Sequence, residues 1–373
     1  TPVPEGIYKQ QREVAESVKN VIRDATDKTL KTLMMHGGYL DERIPGVEVT
    51  YKDVDHVDFL FTGVPYWQRC STTMYPDIDD IKQWMGRSIE KIIRNGLGNI
   101  EEQYGNRVEF DKNSLRVVVD IKGDDAFEPD VVDVTTHLPT SVRGYRLPER
   151  EYPYKVTFKT QFGRIYAFGR DFAEASAEKR YFDVFTIAAI YLSNELENTH
   201  TKLPTSGIMT QCGEVLYRSP QEINNYLMEI LEYLMSSVAW WKPMQQESQN
   251  TKEFAIQDLM GRTYRTLDIK TLLTDSWVFN LADFVFATNF RMPTNGGYTV
   301  PICTASYNHA YNFNYPFVLR IRDRYTGYSF NIASEVSVRD SGDGTMEPGE
   351  CGTSVPSSQE CTVLGCHGWV RVV

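Results

Sequence analysis

The sequence has no stretch of apolar residues long enough to cross a lipid bilayer. Its longest apolar run, Val184 to Leu192, is interrupted by Thr186, whereas a membrane-spanning helix needs about 20 apolar residues in succession. A surplus of basic charge is also missing, because the net charge is -11 at pH 7. Proteins that bind nucleic acids or anionic membranes present a basic face, so the composition argues against both kinds of partner.

Recognisable catalytic motifs are missing as well. The sequence contains no Gly-x-Ser-x-Gly, His-Glu-x-x-His or Gly-x-Gly-x-x-Gly pattern and no phosphate-loop lysine. The densest acid–base cluster is Asp53-Val54-Asp55-His56, which either belongs to an unrecognised hydrolase site or serves only to shape a turn. We therefore expect that the protein is not an enzyme.

Cysteine is scarce, but the number is even and no Cys-x-x-Cys pair occurs. Structural zinc sites usually take their ligands from such close pairs, so we interpret the cysteines as disulfide-forming residues of an extracellular protein. Buried free thiols in a cytosolic protein are the alternative. The candidates are Cys70, Cys212, Cys303, Cys351, Cys361 and Cys366. A Cys361–Cys366 or Cys351–Cys361 bridge would hold the C-terminal tail, but the sequence does not select one pairing.

Neither an initiator methionine nor an Asn-x-Ser/Thr glycosylation site is present. We expect the start at Thr1 to reflect a removed targeting segment or membrane anchor, or a cut at this point. An extracellular eukaryotic domain of this size usually carries a glycosylation site, so its absence favours a prokaryotic, archaeal or viral source.

Hydrophobic periodicity predicts an α+β fold. Apolar residues recur at helical spacing from Ile7 to Leu33 and predict a long N-terminal helix that ends at Gly37-Gly38. Further helices are predicted from Pro76 to Gly96 and at 171–200, 219–241, 252–260 and 268–288. Alternating residues at 108–168 predict a small antiparallel sheet, and alternation after Phe317 predicts C-terminal strands. Val64–Trp67 and Gln161–Arg164 are predicted to be turns.

These elements suggest four segments along the chain. We predict an N-terminal helix at 1–44, an α+β domain at 45–170 and a mainly helical region at 171–300. The last segment, 301–373, is predicted to be a β-rich end with a Cys-rich acidic tail.

An acidic segment near the C-terminus suggests a calcium site. It partly matches an EF-hand-type loop with Gly344 at the obligatory glycine, although Arg339 occupies the position of the first ligand. The predicted ligands are Asp340, Asp343, Glu347 and Glu350. Calcium is accordingly the expected cofactor, and a solvated acidic turn is the alternative.

Aromatic residues make up 12% of the chain and are concentrated at 307–317, where they alternate with asparagine. Such a segment can form a contact between subunits, stack on a carbohydrate, or pack on its own sheet. The predicted interface residues are Tyr307, Tyr311, Phe313, Tyr315 and Trp369.

Three short motifs carry a resemblance to a known group of proteins. They are Gly37-Gly38-Tyr39 at the end of the first helix, Pro65-Tyr66-Trp67, and the Gly-Asp-Gly…Pro-Gly-Glu pattern of residues 342–350. The chain resembles uncharacterised archaeal cell-surface proteins over roughly its first 100 residues and its acidic tail. That resemblance implies an extracytoplasmic location and an N-terminal anchor, and it implies no activity.

We therefore expect an extracellular structural protein that self-assembles as a homo-oligomer or polymer, in the form of a filament, pilus-like fibre or surface layer. Its contacts would use the N-terminal helix, or the strand predicted at 369–373 added to a neighbour's sheet edge. The alternative is a monomeric extracytoplasmic module that binds carbohydrate or peptide.

Overall fold

The computed structural model describes residues 4–45, 47, 49–123, 128–148, 150–195, 207–209, 220–237, 264, 267–274, 278–293, 299–340 and 346–349, and it shows an α+β fold. The helices are α1 (Glu5–Met35), α2 (Ile78–Tyr104), α3 (Phe162–Lys179), α4 (Tyr181–Glu195) and α5 (Pro220–Ser237). In the part of the chain that is described, no helix combines the length and the apolar character that crossing a bilayer requires.

The strands within the described residues fall into three sheets. They are β1 (His56–Phe59), β2 (Thr62–Arg69), β3 (Thr72–Thr73), β4 (Val108–Phe110), β5 (Arg116–Ile121), β6 (Val131–His137), β7 (Thr140–Val142), β8 (Tyr145–Arg146), β9 (Tyr154–Lys159), β10 (Gly207–Met209), β11 (Asp268–Leu273), β12 (Val278–Pro293), β13 (Thr299–Arg322), β14 (Ser329–Asp340) and β15 (Met346–Pro348).

Helix α1 forms as its periodicity predicts and buries one apolar stripe, which includes Val14, Val18 and Ile22. It packs against α2. The chain leaves the helix through Gly37 and Gly38, whose φ angles are 54° and 91°. Glycine suits this left-handed exit because it lacks the Cβ atom that other residues would have to accommodate.

Helix α2 is longer than the sequence predicts. Its first turn is capped by Asp77, whose side chain accepts a hydrogen bond from the Asp79 backbone N–H at 2.7 Å. The predicted end at Gly96 is wrong, since the helix continues to Tyr104. Leu97 and Ile100 are buried and extend the apolar stripe, so packing outweighs the unfavourable helix propensity of glycine.

The largest sheet contains nine of the described strands, and β13 lies at its centre. The order β1-β2-β14-β13 places β1 at one edge, while β11 and β12 pair with β13. Strands β2 and β14 are parallel, and the remaining ladders of this sheet are antiparallel. The two smaller sheets have the orders β4-β7-β8 and β5-β6-β9.

Three local predictions are corrected by the structure. The helix predicted at 268–288 is replaced by β11 and β12, because these apolar residues pair along β13. The turn predicted at Gln161–Arg164 begins α3 instead, where the Thr160 hydroxyl accepts a hydrogen bond from the Phe162 N–H at 3.2 Å. The turn predicted at Val64–Trp67 lies within β2.

One hydrophobic core joins all four predicted segments. Its main cluster contains buried residues of α1, β2, α3, β13 and β14. Trp67 is fully buried in this cluster, and its indole Nε1–H donates a hydrogen bond to the Gly37 carbonyl at 3.0 Å. The rings of Tyr75, Tyr166 and Phe330 surround it at centroid distances of 5.4–5.6 Å. The boundaries predicted at 44, 170 and 300 therefore do not divide this core.

Substitutions of Trp67 test the hydrogen bond that connects the end of α1 to β2. Trp67→Phe leaves the buried Gly37 carbonyl without this donor and should lower the free energy of unfolding by about 1–3 kcal/mol. Trp67→Ala also creates a cavity and should lower it by about 3–5 kcal/mol. Denaturant titration measures both changes. The matched control is Trp84→Phe, at a half-buried position in α2; an equal loss in the control would refute this role of Trp67.

Candidate functional site

Strands β1 and β2 form a hairpin whose turn is built from Leu60 and Phe61. Phe59 pairs with Thr62, so only these two residues connect the strands, and their φ angles are 48° and 66°. Two-residue turns with positive φ at both positions favour Asn-Gly, because bulky L-residues are strained there. Leu-Phe is therefore an unfavourable choice for the turn itself.

Burial within the chain does not offset this strain. Burying such a side chain typically contributes about 1.5–3 kcal/mol, but Leu60 is 62% exposed and Phe61 is 107% exposed. A strained turn that presents two large apolar side chains to solvent is a candidate contact site for another molecule. We refer to Leu60 and Phe61 as the hairpin tip.

The hairpin tip stands on a rigid support formed by His36, Tyr51, His56 and Gly63, which we call the hairpin base. The rings of His36 and Tyr51 are stacked with centroids 4.1 Å apart, and His56 meets the edge of Tyr51 at 5.6 Å. His36 Nδ1 lies 3.0 Å from the Gly63 carbonyl. A side chain at residue 63 would collide with the Tyr51 ring, so glycine is required for this close packing.

The protonation state of His36 follows from its surroundings. Burial lowers the pKa of His36, more strongly than its hydrogen bond to Gly63 and the nearby Asp41 carboxylate raise it. The ring is therefore neutral at pH 7, and because a carbonyl can only accept, Nδ1 carries the proton. Nε2 lies 3.7 Å from Asp41 Oδ2.

Asp41 is held in its charged form next to the hairpin base. Hydrogen bonds from the Arg43 side chain lower the pKa of Asp41 from 3.8 to about 2, while burial opposes this change. Arg43 Nε and Nη2 each lie 2.9 Å from an oxygen of Asp41. This pair fixes the loop between α1 and β1.

The acid–base cluster predicted at 53–56 has local structural roles. Asp53 accepts hydrogen bonds from the Thr50 N–H at 2.7 Å and hydroxyl at 2.8 Å, and the backbone bond in particular lowers the pKa of Asp53. Asp55 pairs with Arg69 at 3.1 Å. His56 Nδ1 lies 2.9 Å from the Val54 carbonyl. These contacts account for the cluster as turn chemistry and do not make its carboxylates converge.

Arg69 also joins the hairpin to the centre of the sheet. Its Nε donates to Glu335 Oε2 of β14 at 2.5 Å, and its guanidinium lies 5.0 Å from the centroid of the Tyr66 ring. Burial raises the pKa of Tyr66, so this phenol stays neutral. The hairpin is thus fixed by its own pairing, by the hairpin base and by β14.

Of the predicted interface residues, Phe313 and Tyr315 are the two whose side chains are described. Phe313 and Tyr315 are 1% and 0% exposed, and the Tyr315 hydroxyl is 2.7 Å from that of Thr186 in α4. The prediction that these two form an interface is wrong, because their side chains pack in the core. Tyr307 and Tyr311 belong to β13, but their side chains, like all of Trp369, lie outside the described part of the chain.

Two of the four predicted calcium ligands, Asp340 and Glu347, are described, and both belong to the antiparallel pair of β14 and β15. Asp340 ends β14 opposite Met346, and the exposed Glu347 of β15 pairs with Arg339. Asp343 and Glu350 lie outside the described residues. Among the residues that are described, no group of three or more His, Cys, Asp or Glu side chains is placed to hold a metal ion. Calcium binding stays a prediction.

Among the predicted disulfide residues, Cys70 is the one whose side chain is described, and it is disulfide-bonded. It is 5% exposed and forms the turn between β2 and β3 with Ser71. The backbone of Cys303 lies in β13 opposite Asn289. Cys212, Cys351, Cys361 and Cys366 lie outside the described residues.

A second surface of interest is the outer edge of β12. This strand pairs with β13 from Val278–Asn314 to Pro293–Thr299, a ladder about 50 Å long at 3.4 Å per residue. Among the described strands, β13 is its one partner. Apolar residues predominate in β12, and a long apolar edge strand is a template for pairing with another chain.

Comparisons with protein-family models, curated proteins and solved structures found no match to this chain. The evidence for the candidate site is therefore its geometry alone. Sequence reasoning missed the hairpin tip because Leu60-Phe61 carries none of the Asn or Gly that marks such turns. The available signal was Thr62-Gly63 after an apolar run.

Replacing the tip by Asn-Gly should stabilise the folded protein. The double substitution Leu60→Asn/Phe61→Gly removes the unfavourable φ angles and exposes less apolar surface, so we expect the free energy of unfolding to rise by about 1–2 kcal/mol. Denaturant titration measures the change. The control is Val118→Thr, an exposed position on β5, which should stay within about 0.5 kcal/mol. A destabilised double variant would show that the tip serves its own fold.

The lowered pKa of Asp41 predicts that the free energy of unfolding falls at acidic pH. Because the folded pKa lies below its ordinary value, the stabilisation is present above pH 4 and is lost as the pH falls towards 2. The Arg43 side chain is 82% exposed, so solvent screens the pair and we expect about 1 kcal/mol. Unfolding titrations from pH 7 to pH 2 should show wild type and Asp41→Asn converging. Asp58→Asn, an exposed carboxylate on β1, is the matched control, and a gap from D41N that persists at pH 2 would contradict this account.

Proposed function

We propose that the protein is an extracellular or cell-surface structural protein that self-associates, with the hairpin tip as one of its contact surfaces. The observation that carries this proposal is the exposure of Leu60 and Phe61 on a turn that disfavours both. A protein retains such a feature at the expense of its own stability when another molecule covers it.

The Cys70 disulfide supports the extracellular part of the proposal. Structural disulfides persist in oxidising compartments and are rare where thiols are kept reduced. The resemblance to archaeal cell-surface proteins points in the same direction.

The order of the large sheet favours polymers over closed dimers. The hairpin tip connects β2 to β1, the strand at one edge of the sheet, and β12 lies beyond β13 on the other side. Two different surfaces that meet head to tail generate a ring or an open filament, whereas a dimer with twofold symmetry uses the same surface twice. A filament, pilus-like fibre or surface layer therefore fits two separated contact surfaces.

The area of the tip decides what role it has in such a contact. Leu60 and Phe61 together supply roughly 300 Å² at most, whereas a stable interface buries about 1,200–2,000 Å² in total. The tip is therefore an anchor within a larger contact. Strand addition along β12 would supply the remaining area, and the strand predicted at 369–373 is the proposed donor.

The alternative of a monomeric module that binds carbohydrate or peptide is weaker. It was based on the aromatic segment at 307–317, in which Phe313, Tyr315 and Phe317 are buried. The size of the native particle distinguishes the two proposals, because one expects a polymer and the other a monomer.

Electron microscopy and light scattering of the native protein test self-association. We expect polymers from the wild type and from Val118→Thr, and at least a tenfold loss of polymer from Leu60→Asn/Phe61→Gly, because the anchor is removed while the fold is stabilised. A uniform particle of 42.8 kDa from the wild type would reject the proposal. Unchanged polymers from the double variant would remove the hairpin tip from it.

Deletion of 369–373 tests the donor strand in the same assay. Loss of polymer from this variant is expected if the strand is added to a neighbour's sheet edge, and unchanged polymer would reject strand addition by these residues.

A further inference from the structure

The surroundings of Cys70 indicate which cysteine is its disulfide partner. Cys70 is disulfide-bonded, and its Sγ lies 3.7 Å from the carbonyl oxygen of Gly349. This contact places the turn of residues 70–71 beside Gly349, the residue that leads towards the C-terminal tail.

Gly349 is held in this position by several polar contacts. Its N–H donates to the Ser337 carbonyl at 2.9 Å, and its carbonyl accepts from Arg180 Nη2 at 2.8 Å. Arg180 in turn pairs with Asp183 at 2.6 Å. A Cβ atom at residue 349 would collide with the Ser337 hydroxyl, so the strand can approach this closely only with glycine.

The buried Asp183 fixes the same point from the other side. Its Oδ1 accepts a hydrogen bond from the Ser337 N–H at 2.8 Å, and the residue is 2% exposed. The junction of α3 and α4, the end of β14 and Gly349 therefore form one connected network beside Cys70. The position of Gly349 relative to the Cys70 sulfur is thus determined by the core.

We infer that Cys351 is the disulfide partner of Cys70. Cys351 follows Gly349 by two residues, so covalent geometry keeps its Cα within about 7 Å of that of Gly349. A disulfide needs a Cα–Cα separation of about 4.4–6.8 Å. Among the cysteines of the C-terminal tail, Cys351 is therefore the one that chain connectivity keeps nearest to Gly349, which the core holds beside the Cys70 sulfur.

The backbone position of Cys303 excludes it as the partner. Phe313 pairs with Val338, and Val338 pairs with Pro348, so Phe313 lies level with the approach to Gly349. Cys303 precedes Phe313 by ten residues of the same strand, which places it about 30 Å away. Cys361 and Cys366 are separated from Gly349 by more residues than Cys351 is. Bringing either of them to Cys70 would therefore cost more loop-closure entropy.

The bond forms by thiol–disulfide exchange. The thiols of Cys70 and Cys351 give up two protons and two electrons as their sulfurs join, and the disulfide of an exported thiol oxidoreductase accepts them and leaves as a dithiol. The product ties the C-terminal tail to β2 and leaves Cys212, Cys303, Cys361 and Cys366 for any further bridges.

Peptide mapping of the wild-type protein, alkylated and digested without reductant, tests the pairing. Trypsin releases a peptide that begins at Cys70, and cleavage after Glu350 and Glu360 separates residues 351–360 from Cys361 and Cys366. We expect the Cys70 peptide linked to residues 351–360. Linkage to Cys212, Cys361 or Cys366, or an alkylated Cys70, would overturn the assignment.

Two matched variants give a second readout. After denaturation without reductant, a maleimide should label one additional thiol in Cys351→Ser, at Cys70, and should leave Cys70 unlabelled in Cys361→Ser. Labelling of Cys70 in Cys361→Ser, or an unlabelled Cys70 in Cys351→Ser, would contradict the pairing. The mapping uses wild-type protein, so it decides the question even if a variant does not fold. It is also independent of self-association, since a monomer can carry this bridge.

Discussion

The hydrogen bond from the Trp67 indole to the Gly37 carbonyl connects the two parts of the molecule on which the rest depends. A buried indole N–H needs an acceptor, and the carbonyl it uses lies at the left-handed exit from α1. The bond therefore fixes the end of α1 relative to β2. His36 precedes Gly37 directly, so the same constraint brings its ring beneath Gly63 and onto Tyr51. The core joint and the hairpin base are one continuous structure.

This continuity explains how the molecule can hold a strained turn at its surface. The strands on either side of Leu60 and Phe61 are fixed by the aromatic hairpin base and by the Arg69–Glu335 ion pair, so the turn is held in a conformation that its residues disfavour. Rigid presentation lowers the entropy that is lost when a partner binds. In the proposed assembly the apolar tip and the apolar edge of β12 are two different contact surfaces, and their separation in the sheet would favour growth from one copy to the next.

Sequence patterns predicted the helices and strands that bury only one face. They failed where pairing with a distant strand determines the secondary structure. Helix α1 and the β13–β14 hairpin follow regular apolar spacing, so their existence could be predicted. Strand β12 could not, because a run such as Phe284-Val285-Phe286 fits both helix and strand, and only pairing with β13 selects between them. Phe313 and Tyr315 look like exposed aromatic residues until β14 covers one edge of their strand and the core covers their rings. The hairpin tip escaped prediction because the contact proposed for it requires large apolar residues, and the rules for two-residue turns favour Asn and Gly instead.

The central claim is that apolar surface at the hairpin tip is covered by another copy of the chain. Sedimentation velocity of the native protein over a hundredfold range of concentration measures this most directly. If copies add to one another, as this claim requires, the sedimentation coefficient rises with concentration. A single boundary that corresponds to the mass of one chain at every concentration would contradict it.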